Sequence, residues 1–237
     1  MLCAYGALLS WSATRHSPVW EEPGHLVAGI SHWQFGRFDL MRVNPPLVRL
    51  VGAVPVLFGA PKIDWSRYDA SVGARSERSI REDFIVANGE RVFWLHTLAR
   101  WACIPFSLLG AYVCFRWARE LYGKLAGILG LTLWCFCPNI IAHAQLITPD
   151  AGATAMGVAA GYIFWRWLKR PTRGWTVAAG LMLGLAELTK TTWIVLFGLW
   201  PLLWIVWRAA EPKAPERPHP GPLPEGEGAA GEKNMSL

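Results

Sequence analysis

The feature that most constrains this chain is the way its apolar residues are gathered into blocks. Five runs, at 93–115, 125–141, 151–167, 174–188 and 192–207, carry few charges and no amphipathic stripe. A helix apolar on every side belongs in a bilayer, whose ~30 Å core takes about 20 residues to cross. Composition agrees: 53% of the 237 residues are hydrophobic and 17% are charged, against about 25% charged in soluble domains. Residues 2–13 are apolar too but reach only ~18 Å as a helix, and read as the end of a further span. The expected fold class is therefore an all-α integral membrane protein with about six transmembrane helices. The polar stretch 15–92 forms a long first loop with juxtamembrane helices. Within it, 45–60 is apolar but broken by Pro55 and charged by Arg49, which suits a helix lying at the membrane surface.

Charge sets the expected orientation. Arg116, Arg119 and Lys124 share one short connection, Lys169, Arg170 and Arg173 another, and Arg208 and Lys213 follow the last run. These connections fall on one side, which the positive-inside rule makes the cytoplasm. The 15–92 loop, the 140–150 connection and Lys190 then face outward, across a bacterial inner or plasma membrane. The net charge of +6 is dispersed beside apolar runs, a membrane-interface pattern that excludes nucleic acid as the partner. The five cysteines lie in apolar runs without C-x-x-C spacing and read as small hydrophobes. From residue 209 the composition turns to Pro, Gly and Glu, with no capacity to bury a core. The domain reading is a membrane-embedded unit at 1–208 and a disordered low-complexity tail at 209–237, where the frame runs out of a longer gene.

Three segments carry the candidate chemistry: Trp20-Glu21-Glu22-Pro23-Gly24-His25, Arg42-Val43-Asn44-Pro45-Pro46-Leu47 and Thr148-Pro149-Asp150. Each lies where irregular backbone meets an apolar run. Adjacent carboxylates beside a bilayer are costly unless they bind a cation or a proton. His25 has two readings, a hydrogen-bonding partner that orients Glu22 or a zinc ligand. The missing second histidine at i+4 favours the first, and Pro23-Gly24 argues against a regular helix there. Lys190 also has two: an i,i+3 ion pair with Glu187, or a cation meeting a lipid phosphate.

In order along the chain, these segments and the Gly184-Leu-Ala-Glu-Leu-Thr-Lys190 stretch resemble the lipid-carrier-dependent glycosyltransferases of the protein O-mannosyltransferase and aminoarabinose-transferase type. The resemblance covers roughly residues 8 to 207, the N-terminal part of such a protein, and so implies a truncated or inactive copy. It implies a helical membrane bundle that moves sugar, with inversion, from a polyprenyl-phosphate carrier to an acceptor it does not name, at the outer face. Glu21, Glu22 and Asp150 become the catalytic carboxylates, with Glu22 in the main role. Glu21 stands where the family pattern has Asp. His25, Arg42, Asn44, Arg49 and Lys190 become substrate-binding residues, and Glu22 with Asp150 the ligands of a divalent metal ion. A base is needed because a hydroxyl is a poor nucleophile until deprotonated, and a cation because the leaving phosphate gains charge. The alternative is a non-enzymatic transporter or assembly-subunit fragment. Acidic residues collected at one boundary, without an internal repeat, weigh against it.

Overall fold

The computed structural model describes residues 1–210; most of the expected tail therefore lies outside the described residues. The described chain is all-helical: α1 (Leu2–Ala13), α2 (Glu22–Phe35), α3 (Leu47–Phe58), α4 (Glu77–Asn88), α5 (Arg91–Tyr122), α6 (Lys124–Phe136), α7 (Pro138–Ala144), α8 (Pro149–Lys169), α9 (Arg173–Glu187) and, after a 3₁₀ turn at Thr191–Ile194, α10 (Val195–Ala210).

Two stretches are long and apolar enough to cross a membrane, α5 and Thr191–Ala210, and a third if α6 and α7, bent by 61°, count as one broken span. This is fewer than the apolar runs suggest, for identifiable reasons. Helix α8 is diluted by its Gly/Ala content and by Asp150, Arg166 and Lys169 at its ends. Helix α9 has only 15 residues, roughly 22 Å at 1.5 Å each. The α6–α7 break falls at Cys137, just before Pro138, since proline disfavours helical backbone in the residue ahead of it.

Helix α5, 32 residues long and continuous through Pro105, is the spine, with α1, α3, α6 and α8 packed around it. Small residues let the helices approach. A Cβ at Gly29 of α2 would collide with the Arg49 carbonyl of α3, and one at Gly110 of α5 would enter the Trp134 indole of α6. One at Gly152 of α8 would meet Val48 of α3. These approaches press α2, α3 and the start of α8 together at one end of α5, where the motif segments lie.

Helix α2 corrects one expectation. A regular helix does run through Pro23-Gly24, with Glu21 as its N-cap residue and Pro23 in the first turn. There the missing N–H would have had no intrahelical partner, and proline's fixed φ suits the helix start.

Candidate functional site

Glu22 is fully buried and both of its oxygens are occupied. Oε1 accepts from Arg100 Nε at 2.9 Å and from the Ile147 backbone N–H at 3.2 Å; Oε2 accepts from Arg100 Nη2 and from the Val19 N–H at 2.9 Å. Arg100, 1% exposed, completes its fork on the carbonyls of Ala13, His16 and Ser17. One ion pair thus joins α5 to the chain between α1 and α2, to the start of α2, and to the segment that leads into α8. Such an arrangement satisfies all five guanidinium N–H groups. It also answers the cost of two charges taken out of water, which only a fully hydrogen-bonded pair can offset. Arg100 escaped the sequence reading, although a lone arginine inside an apolar run is a signal that it has a buried partner.

Asp150 and Lys190 form the second pair. Lys190 Nζ lies 2.9 Å from Asp150 Oδ1, with the two side chains 35% and 48% exposed. The alternative pairing of Lys190 with Glu187 is not made. Helix α9 ends at Glu187, so i,i+3 helical geometry does not reach Lys190, and Glu187 Oε1 is buried without a partner. Asp150 also borders a cleft of ≈ 160 Å³, together with Trp134, Asn139, His143 and Thr154.

Between the pairs lie buried polar groups with unused atoms. His25 is 2% exposed with Nε2 unpaired, and the charges of Arg49, Asp150 and Glu22 all act on its ring. Arg49, 3% exposed, donates from Nε to His32 Nε2 at 2.9 Å and from Nη2 to the Asn44 carbonyl at 2.6 Å, leaving Nη1 unpaired. Thr148 Oγ1 and Gln145 Oε1 are likewise buried and unpaired. The segment Asn44-Pro45-Pro46 is fixed from the other side by the Leu47 N–H, which donates to the Leu188 carbonyl at 2.9 Å. Four segments distant in sequence, around Glu22, Asn44, Asp150 and Lys190, therefore meet at one end of the bundle.

Two expected residues stand apart from this core. Glu21 is exposed, on the rim beside Glu22. Arg42 is exposed and holds the carbonyls of Asp39, Ala70 and Ser71 at 2.8, 3.0 and 3.1 Å, which ties the turn before α3 to the stretch after it. The donor set does not suit the expected metal ion. Glu22 has no lone-pair direction left open to one, Asp150 faces a lysine, and the described residues contain no group of three His, Cys, Asp or Glu placed to hold a cation.

Burial governs the histidines of this region, which lie outside the spanning helices. Burial and then the Arg49 charge press the His25 pKa from 6.5 to about 4, and burial does the same to His32, also to about 4. Both are neutral at pH 7. Because the folded value is the lower one, the unfolded chain takes up protons first as pH falls. Stability should therefore drop as pH falls from 6.5 to 4, by about 3 kcal/mol for His25. Melting temperatures in detergent across that window would show it, and His25→Asn should make the slope shallower while leaving the part due to His32.

The model of the dolichyl-phosphate-mannose-protein mannosyltransferase family matches residues 94–217, more than half of the chain. The chain belongs to this family. The match begins at Trp94 and takes in Arg100, Asp150 and Lys190; the Glu21–His25 and Asn44–Leu47 segments precede it and join the site through the contacts above. No curated protein and no solved structure matched the chain. Family and apolar helices together make this a membrane protein of a glycosyltransferase family.

Proposed function

We propose that residues 1–208 form a membrane-embedded glycosyltransferase unit that moves a sugar from a polyprenyl-phosphate carrier to an acceptor hydroxyl at the outer membrane face. The observation that carries this reading is the convergence of the Glu22, Asn44, Asp150 and Lys190 segments around buried polar atoms without partners. Sidedness rests on the basic connections around Arg116–Lys124 and Lys169–Arg173, at the far end of α5 and α8. The short and broken helices complete the further spans, α1 and the α6–α7 pair packing against α5 and α9 against α8.

Glu21, exposed beside the anchored Glu22, takes the acceptor proton. The acceptor oxygen attacks the anomeric carbon as the bond from that carbon to the carrier phosphate breaks, with inversion. Lys190, held by Asp150, meets the charge gained by the departing polyprenyl phosphate, and Arg49 Nη1 adds a second donor from below. Glu22 acts at one remove: its pair with Arg100 fixes the Glu21 backbone and the Ile147–Asp150 entry to α8 in one frame.

Membranes enriched in the protein should transfer label from a polyprenyl-phosphate-linked radioactive sugar into non-lipid material above host background. Lys190→Met should raise the donor KM about 10–100-fold, the range for a lost hydrogen bond to a charged group, and change kcat less. Transfer no higher than in host membranes would remove the activity, and an unchanged donor KM would remove Lys190 from the phosphate.

A further inference from the structure

Far from Asp150, a groove of ≈ 430 Å³ runs between α8, α9 and α10. Phe164, Trp167, Leu183, Trp200 and Trp204 line it, and the Phe164 and Trp200 rings stack 4.3 Å apart. Trp167 and Trp204 sit toward the far end of their helices, and the Trp167 indole N–H donates there to Thr176 Oγ1 at 2.9 Å. Just beyond lies the turn joining α8 to α9.

The turn is strongly basic. Lys169, Arg170 and Arg173 are exposed, and Arg116, Arg119, Lys124 and Arg166 come from the adjoining helix ends. Among the described residues, Glu120 is the acid that answers them, and its carboxylate is taken by Arg166 at 2.9 Å, Arg116 at 3.2 Å and Tyr162 at 2.7 Å. Lys169 and Arg166 lie over indole faces, 4.4 Å from Trp165 and 4.8 Å from Trp175. Arg170 and Arg173 have no acidic partner among the described residues.

We propose that an anionic diacyl phospholipid occupies this place, its phosphate on Arg170 and Arg173 and one acyl chain along the aromatic groove. The two parts specify the ligand together. A soluble phosphate would have no use for an apolar trough opening from the cations, and a purely apolar helix would leave the cations unanswered. Cations near a membrane surface attract anionic lipid by about fivefold each, and aromatic side chains give acyl carbons large contact area.

Native mass spectrometry of the purified protein in micelles containing equimolar phosphatidylglycerol and phosphatidylcholine of matched chains tests the proposal. The expected result is preferential retention of phosphatidylglycerol, falling about 25-fold in the Arg170→Gln, Arg173→Gln double variant, as two such factors imply. Gly180 lines the groove and a Cβ there meets nothing within 4 Å, so Gly180→Phe should fold and lower phosphatidylglycerol retention with every cation in place. Equal retention of the two lipids, indifference to the double variant, or indifference to Gly180→Phe would each overturn the proposal. So would displacement of phosphatidylglycerol by an equal concentration of polyprenyl phosphate, which would give the groove to the carrier lipid instead. No outcome depends on sugar transfer.

Discussion

Glu22→Ala and Arg100→Met, made singly, should each cost about 3–5 kcal/mol of stability, because either leaves its partner as an uncompensated charge in a buried site. Of the two, Arg100→Met should be worse. Glu22→Ala strands one guanidinium and the N–H groups of Val19 and Ile147. Arg100→Met strands a carboxylate and the carbonyls of Ala13, His16 and Ser17, so the chain between α1 and α2 loses its tie to α5. The double variant Glu22→Leu, Arg100→Met leaves no charge behind and should recover part of the loss, though not all, because the His16 and Ser17 carbonyls stay unanswered while that of Ala13 keeps only the Thr97 hydroxyl at 3.5 Å. Thermal unfolding in detergent, followed by loss of the monodisperse peak, would measure the series. Single variants within about 1 kcal/mol of the unsubstituted protein would mean that water reaches the pair.

The helices were the most legible part of the sequence, since dense apolar runs bounded by Arg, Lys and Pro leave few other folds. The break at Cys137 follows from Pro138, although 125–141 reads as a single run. The start of α2 was misjudged because Pro23 breaks a helix interior but fits a first turn. Site residues could be named but not connected. Lys190 finds Asp150 40 positions away and Glu22 finds Arg100 78 positions away, and no local spacing rule spans such separations. Read from sequence, Glu22 takes the main catalytic part because Glu21 departs from the Asp of the family pattern. What separates the two is a difference between neighbours, one oxygen pair enclosed by four donors and the other on the rim, and composition carries no trace of it. Arg100 was hidden by its surroundings, one cation inside a run whose average is apolar.

Glu21→Gln should lower sugar transfer by about 10²–10⁴-fold, the usual cost of losing a general base. The substitution preserves size and can still accept a hydrogen bond, so an acceptor can bind where it did. What disappears is the negative charge that draws the hydroxyl proton away during attack. Because Glu21 is exposed and outside the Arg100 network, stability should change by less than about 0.5 kcal/mol, as for surface substitutions generally. This separates it from Glu22→Gln, whose effect on transfer should follow its effect on folding. Asp150→Asn frees Lys190 from its partner and should add to the defect by misplacing the cation for the carrier phosphate. The most direct measurement is therefore transfer of label from a polyprenyl-phosphate sugar by membranes carrying equal folded amounts of the unsubstituted protein and of the Glu21→Gln, Asp150→Asn double variant. Transfer by the first and none above background by the second is the expected result; undiminished transfer by the double variant would contradict the assignment of this end of the bundle as the site of chemistry.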